Sequence, residues 1–382
     1  MQGKIAVIGG GVVGASIAYH LARFGSRKVL LLEAEQIGAG STRQSVGGIR
    51  TLFDSALEIE LSLYGHKAYK QLEVDSGEEF NFRKSGYLLL VTTAERKSSL
   101  NAAAELAASL GGIVEQVPVQ RLETWLPGIE TDDVCLAVYL PEDGFFPRPQ
   151  QLAQTYADLA AEAGVGISAG TPVHAIHARD ESFVLECTRE HVNVEQIVLA
   201  VNAFSGPLLE CLDVRFADYP YPRHVFSIKP PPGALRTDMP MTIFRGMDLM
   251  LRYEQDMVLS ICGLPEESTM DATFDANQLS VVKDRICGRV DLSRSTVTHA
   301  WSGLRAMTPD RRALVGPIPG VPGAWCALGF SGHGLMHAPA VGRAVAEMVL
   351  TGHSSRFDFT GLSPERFLDP QEKPPVLEAV HY

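Results

Sequence analysis

Apolar residues recur along this chain in two rhythms. The continuous run Lys4-Ile5-Ala6-Val7-Ile8 predicts a strand buried on both faces. Ile17, Ala18, Leu21 and Ala22 then place one apolar face on a helix from Ala15 to Phe24, stopped by Gly25. Lys28 to Leu32 predicts a second buried strand that ends in Glu33. Helical spacing returns at Leu57, Leu61, Tyr64, Ala68 and Leu72, behind a cap at Asp54 or Ser55. It returns again over Ala94 to Leu110, ahead of Gly111-Gly112, and from Pro149 to Gly164. Short apolar runs predict strands at Gly86–Thr92, Val134–Leu140, Thr171–Ala178, Phe183–Cys187, Gln196–Val201, Met241–Phe244, Asp248–Arg252 and Met257–Ile261. Tyr219 to Pro232, rich in proline and aromatics, reads as a crossing between domains, and Phe274 to Val290 as a helix. Ala324 to Leu328 is strand-like and leads into a last helix with Val341, Val345, Met348 and Val349 inward. Beyond Phe357 the chain is proline-rich and reads as a loose tail.

The chemistry begins between the first strand and the first helix. Gly9-Gly10-Gly11-Val12-Val13-Gly14 matches G-x-G-x-x-G. Gly9 permits the tight turn, Gly11 lets a pyrophosphate approach the backbone, and Gly14 lets the helix pack on the strand. The helix N-terminus offers N–H groups and a partial positive charge to phosphates. A carboxylate at Glu33 can accept both hydroxyls of an adenosine ribose and would repel a 2′-phosphate. Strand, glycines, helix, strand and acid in register are a dinucleotide signature.

Two further stretches carry candidate chemistry. Gly38 to Arg50 is too rich in glycine and serine for a regular element. In it Gly40, Ser41 and Thr42 can donate to phosphate, and Gly47-Gly48 allow close approach to a flat ring; Arg50 ends the loop, either as a site residue or as a surface ion pair. Asn202 to Gly206 resembles the small-residue turn where a buried strand meets a nucleotide. Gly329-Phe330-Ser331-Gly332-His333-Gly334 opens the last helix, a second positive helix end that can stabilise negative charge on the pyrimidine side of a reduced flavin.

Length and charge narrow the class. The chain has 382 residues, 46% hydrophobic, enough for about two domains. A net charge of -12 argues against nucleic acid or an anionic membrane surface as partner. Cys135, Cys187, Cys211, Cys262, Cys287 and Cys326 form no C-x-x-C and no metal spacing, so no metal is expected and a reducing compartment fits. The first strand begins at Lys4, which leaves no room for a signal peptide ahead of it, and no run of eighteen apolar residues predicts a membrane span. Cytoplasm is the expected location.

The glycine fingerprint with Glu33, the loop ending Gly47-Gly48-Ile49-Arg50, the segment Trp301 to Asp310 and the Gly329-to-Gly334 junction occur in one order and spacing. Together they resemble the D-amino-acid-oxidase-like FAD-dependent oxidoreductases, which include glycine oxidase, sarcosine oxidase, dimethylglycine dehydrogenase and the beta subunits of amino-acid dehydrogenases. The resemblance covers about Lys4 to Gly352. It implies an α/β protein: a Rossmann-like FAD-binding domain built from discontinuous segments (1–85, 141–218 and 300–355), plus an α+β substrate domain with a mainly antiparallel sheet (86–140 and 219–299), and a tail at 356–382.

Carried over residue by residue, the resemblance places adenosine at Glu33, pyrophosphate at Gly11 and at Ser41-Thr42, and adenine against the backbone of Val173, with Val12, Val13 and Ala34 also among the cofactor-binding residues. Ala200, Asn202, Gly329, Gly332, Gly334 and Leu335 join the cofactor-binding set with Gly40, Ile49 and the fingerprint glycines. Members that tether FAD use a histidine where Gln44 stands, or a cysteine where Gly303 stands, so FAD is expected to be non-covalent. Arg148-Pro149 replaces the histidine that carries a second, covalent flavin in some beta subunits.

The reaction the resemblance implies takes a hydride from the carbon next to nitrogen to flavin N5 and gives an imine that water hydrolyses. Arg305 matches a carboxylate-binding arginine and Arg50 one beside the flavin; the alternative for Arg305 is an ion pair with Asp310. Two roles fit His333, one beside the flavin and one as a helix cap. Met336 replaces a lysine of monomeric sarcosine oxidases. Tyr253 and His224 are candidates for the pocket wall. The expected substrate is a small amino acid or N-methyl amino acid of the glycine, sarcosine, dimethylglycine or proline class, with O2 or another electron acceptor. Oxidation of a 2-hydroxy acid, an FAD-bearing subunit of a larger complex, and a homo-oligomer remain open alternatives.

Overall fold

This computed structural model describes residues 4–26, 28–247, 249–254, 257–262, 268–273, 280, 288–291 and 294–368. The first strand, β1 (Ile5–Ile8), the helix α1 (Val12–Arg23) and the second strand, β2 (Val29–Leu32), form the expected unit, and all eight strand residues are buried. Burial on both faces is what a parallel strand between helical layers demands, and it explains the unbroken apolar runs. The sheet has six strands, in the order Leu314–Pro317, Ala324–Leu328, Gln196–Leu199, β1, β2 and Gly166–Ser168. It is parallel except for the pair Leu314–Pro317 and Ala324–Leu328. The helices Pro149–Glu162 and Gly334–Thr351 pack on α1, with Ala56–Ser76 behind the latter.

A second sheet has eight strands, in the order Thr296–Met307, Tyr219–Lys229, Met257–Cys262, Leu249–Glu254, Met241–Phe244, Tyr87–Val91, Leu136–Leu140 and Glu115–Val117. All its pairs are antiparallel except Met241–Phe244 with Tyr87–Val91. A three-stranded antiparallel sheet, Val173–Arg179, Ser182–Cys187 and His191–Val194, packs on one face of the first. The α/β class with a mainly antiparallel second sheet is therefore the architecture the chain adopts.

Three expectations need correction. Tyr219 to Pro232 is not a crossing: its first eleven residues are a strand paired along its whole length with Thr296–Met307. Among the described residues, the strand on its other side pairs with Val225 to Ile228, and Pro220 and Pro222 lie outside that stretch. The strand Thr296–Met307 runs through the expected boundary at residue 300, so the 300–307 stretch belongs to the second sheet. The chain is packed to Leu368, with Phe357, Phe359 and Leu362 buried and a bridge from Phe216 to Leu368, so the tail does not begin at 356. Apolar residues in that proline-rich stretch hold it down. The helix expected at 274–290 lies almost wholly outside the described residues, although Val290 bridges to Ile129.

No helix among the described residues is long and apolar enough to cross a membrane. Among them there is also no group of three His, Cys, Asp or Glu side chains able to hold a metal ion.

Candidate active site

The two large sheets meet over one cavity of about 540 Å³. Its far end is built by the turn after β1. Gly9 has φ +104°, a left-handed conformation that favours glycine, and a Cβ on Gly14 would overlap the Gly9 carbonyl oxygen. These two positions seat α1 on the strand and aim its N-terminus into the cavity. Gly11, the N-cap, has only Thr42 Oγ1 within 4 Å of a would-be Cβ, so backbone faces open space there. Glu33 closes this end: its carboxylate accepts from the N–H of Gly10 at 2.5 Å and of Glu35 at 2.9 Å. Those bonds fix the two oxygens while leaving lone pairs for ribose hydroxyls.

The loop after Glu33 is tied to both sheets. Thr42 Oγ1 accepts from the Val12 N–H at 3.1 Å, and Ser41 donates to the Leu304 carbonyl at 2.9 Å. The Trp301 indole donates to the Gln44 carbonyl at 3.1 Å. Ser41, Thr42, Gln44, Gly48 and Arg50 are thereby held along the wall. Asn202 is left-handed at φ +45° and its Oδ1 accepts from the Phe330 N–H at 3.4 Å, which joins the third wall to the last helix. Val173, Ala200 and Ala34 also line the cavity.

The other end is cationic. Arg50 is 8% exposed, its guanidinium lies 4.7 Å over the Phe53 ring, and its Nε makes no hydrogen bond. Arg305 lies against the Gly-rich junction, its guanidinium carbon 3.1 Å from where a Gly332 Cβ would stand. Asp310, the alternative partner for Arg305, receives Arg366 at 3.0 Å. His333 sets the N-terminus of Gly334–Thr351 but makes no side-chain cap bond, so the capping role does not hold. Its imidazole pKa is pushed well below the usual range, by burial first and then by Arg50, Arg305 and Arg311. The ring is thus neutral, and its 3.7 Å approach to Glu58 is not an ion pair. It packs edge-on to Phe53, at 4.9 Å between centroids.

Gly9, Gly11, Val12, Val13, Glu33, Gly40, Gly303, Arg305, Gly332, His333, Gly334, Leu335 and Met336 all share this cavity. Gly14, Gly47, Ile49 and Gly329 do not line it; they shape the backbone behind it. His224 and Tyr253 do not line it either. Strand alternation is the reason: Arg223 and Val225 face the cavity, so His224 lies on the opposite face, and Tyr253 packs on that opposite face with Phe226.

The lining residues that were not expected include Arg223 and Tyr87. Arg223 stands opposite Gly303 in the strand pair, diagonal to Arg305, and is 4% exposed. A period-two reading of Tyr219–Lys229 would have found it. Tyr87, 3% exposed, reaches Gly48 with its hydroxyl; burial pushes that phenol far up, so it stays a neutral donor.

A smaller cavity of about 140 Å³ adjoins the first, with Arg50 and His333 in the wall of both.

The profile of the family described as "FAD dependent oxidoreductase" matches residues 4–348. FAD-dependent oxidoreductase domain-containing protein 1 of Bos taurus is 31% identical over 96% of this chain and 84% of its own length. Dimethylglycine dehydrogenase of Rattus norvegicus is 27% identical over 96% of this chain, which spans only 45% of that longer protein. The crystal structure of L-proline dehydrogenase from P. horikoshii superposes with a TM-score of 0.87, at 25% identity, over 96% of this chain and 97% of that one. The cavity fits the FAD that the family's description names. Open backbone at Gly11 faces a positive helix end, a fixed carboxylate closes the adenosine end, and a second helix end meets the cationic end.

Proposed function

Because the chain belongs to the family of FAD-dependent oxidoreductases, we propose that it oxidises the C–N bond of a small amino acid or N-methyl amino acid. When bound, FAD would supply a two-electron hydride acceptor; loss of a hydride from the carbon next to nitrogen leaves an imine, which water hydrolyses to an amine and a carbonyl compound. The observation that carries the reading is that Arg305 and Arg50 stand in the same cavity as the fingerprint glycines and Glu33.

Each residue's part follows from its chemistry. Gly11, Ser41 and Thr42 would hold the pyrophosphate through backbone N–H groups and the Thr42 hydroxyl, with Val12 N–H orienting Thr42, and Glu33 would hold the ribose. Gln44 and Gly303 offer no nucleophile, so the cofactor is held without a covalent bond. Arg305 clamps the substrate carboxylate through its planar fork, and Arg50 assists from the opposite wall. Neutral His333 adds no third positive charge and offers a lone pair to the substrate amine. Tyr87 donates its hydroxyl. Apolar Val225, Ile243, Leu249 and Met250 keep water from the reacting carbon.

The test is the visible spectrum of the FAD-loaded protein without oxygen, titrated with sarcosine, dimethylglycine, glycine, proline and 2-hydroxyglutarate. Bleaching by an amine is the expected result, and Arg305→Lys should raise the concentration needed on the order of tenfold or more. Bleaching by the hydroxy acid alone would replace C–N with C–O oxidation. Admitting air to the bleached protein identifies O2 as acceptor or excludes it.

A further inference from the structure

Arg252 is buried and makes three contacts at once. It lies on the strand Leu249–Glu254 of the second sheet and is 4% exposed. Its guanidinium donates to the Val46 carbonyl, 206 positions away, and to Glu254 Oε2 at 2.6 Å. The guanidinium carbon also stands 4.1 Å from the centre of the Phe145 ring. Phe145 in turn pairs with Gly48 in a short antiparallel ladder. One side chain of the second sheet therefore grips the residue before Gly47 and backs the strand that pairs with Gly48.

That backbone is a wall of the main cavity. Val46 and Gly48 line it, Gly48 with backbone atoms alone, and Arg252 does not. Met250, two residues before Arg252 and on the same face of the strand, lines it too. Gly47 has φ +74°, and a Cβ there would overlap the Phe146 carbonyl; a Cβ on Gly48 would overlap the Tyr87 hydroxyl. A buried ion pair such as Arg252 with Glu254 adds little stability over apolar packing of the same volume. What the guanidinium adds is geometry, because its planar fork holds two acceptors in fixed directions while its face rests on a ring.

We propose that Arg252 is a positioning residue for the flavin: it fixes the Val46–Gly48 backbone against which the ring lies, so that the second sheet sets the place of the ring. This holds for a ring lying against Gly47-Gly48, as the resemblance of that loop implies, whichever substrate is oxidised. Arg289 is a matched control in the same molecule. It is 6% exposed, pairs with Asp133 at 2.5 and 2.8 Å, and has its guanidinium carbon 4.7 Å from the centre of the Phe244 ring. Neither Arg289 nor those two partners line the cavity.

The experiment titrates the full chain, freed of cofactor, with FAD and separately with ADP, which fills only the adenosine and pyrophosphate end. Parent, Arg252→Lys and Arg289→Lys are compared. Lysine keeps the charge of Arg252 but has no flat fork to hold Val46 and Glu254 together. Arg252→Lys should weaken FAD binding on the order of tenfold to a hundredfold, the strength of one hydrogen bond to a charged group, and displace the visible band of the bound flavin. Its ADP affinity should equal the parent's, and Arg289→Lys should change neither ligand's binding nor the band. Parental FAD affinity and spectrum in Arg252→Lys overturn the proposal. Equal losses of FAD and ADP affinity also overturn it, because they mark general damage, and so does a FAD-specific loss of the same size in Arg289→Lys. Should Arg252→Lys fail to fold, Glu254→Gln decides, since that side chain is 20% exposed and only aligns the guanidinium. Glu254→Gln should weaken FAD by a smaller factor and spare ADP; unchanged FAD affinity overturns the proposal. No amine enters the experiment, so its failure leaves C–N oxidation standing, and a protein that no amine bleaches leaves the role of Arg252 standing.

Discussion

Asp143 and Thr51 are joined twice: the Asp143 carboxylate accepts from the Thr51 backbone N–H at 2.8 Å and from its hydroxyl at 3.1 Å. His66 Nε2 stands 3.1 Å from the same carboxylate, which is fully buried. Thr51 follows Arg50 directly, so the arginine at the junction of the two cavities is aimed by an acid 92 positions away. Asp143→Ala removes the acceptor and leaves the Thr51 donors buried without a partner. It should cost about 2–4 kcal/mol of stability, the sum of one or two buried hydrogen bonds to a charged group. Urea unfolding of parent and variant measures this. Equal midpoints would show that the carboxylate does not anchor the loop.

Two fingerprint glycines should fail in different ways. A Cβ at Gly14 meets the Gly9 carbonyl, and neither backbone can yield without lifting α1 off β1. A Cβ at Gly11 meets only the Thr42 hydroxyl, at 3.3 Å. Gly14→Ala should therefore destabilise the protein freed of cofactor, by about 2 kcal/mol or more. Gly11→Ala should leave the cofactor-free thermal midpoint nearly unchanged and weaken FAD binding, because its new methyl faces the cavity. Thermal unfolding without FAD and a cofactor titration separate the two, and a Gly14→Ala protein as stable as the parent would contradict the packing.

Much of this was legible in the sequence because it is local. The unit of β1, α1 and β2 is encoded in 30 contiguous residues, with glycine, helix and acid at fixed offsets. Arg223 was harder to read, because prolines at 220 and 222 disguise the strand and its partner Gly303 lies 80 positions on; only a period-two reading of the strand recovers its face. Prolines normally argue against a strand; here they lie outside the stretch that pairs with Met257–Cys262 among the described residues. His224 shows the reverse failure. Its composition suits a pocket wall, but one step along a strand turns a side chain to the other face. The smaller cavity gathers Arg50, Arg245 and Arg311 from three separate stretches, a grouping no local pattern contains.

Asp218 should make stability fall as pH rises. Its carboxyl is buried, Oδ2 accepts from the Ser205 hydroxyl at 3.1 Å, and Oδ1 has no partner. Burial raises its pKa to about 7, against the lowering effect of Ser205. The folded protein therefore keeps a proton that the unfolded chain releases near pH 4. The contribution is fully present below that pH and is lost as pH climbs to about 7. Asp218→Asn keeps an acceptor for Ser205 and removes the titration. Relative to the parent, the variant should gain on the order of 2–3 kcal/mol between pH 5 and pH 8. Denaturant unfolding at the two pH values gives the difference directly; a constant offset would mean that Asp218 does not titrate in this window.

His337 should act with the opposite sign. It is 3% exposed, its ring centroid lies 5.1 Å from that of Phe53, and its Nε2 has no hydrogen-bond partner. Burial, with added repulsion from Arg50, lowers its pKa to about 3 against the attraction of Glu58. Here the unfolded chain binds the proton first, near pH 6.5. The stabilising contribution is present above that pH and drains away as pH falls towards 3. His337→Phe keeps an aromatic ring against Phe53 and cannot titrate. Whatever offset the larger ring produces at pH 7, the variant should gain on the parent by on the order of 2 kcal/mol on going to pH 5. The second difference, variant against parent and pH 5 against pH 7, cancels the packing change and isolates the proton. Parallel acid limbs in the two proteins would show that His337 is protonated in the folded state, which requires Glu58 to be ionised beside it. In that case the wall shared by the two cavities would hold an ion pair next to Arg50.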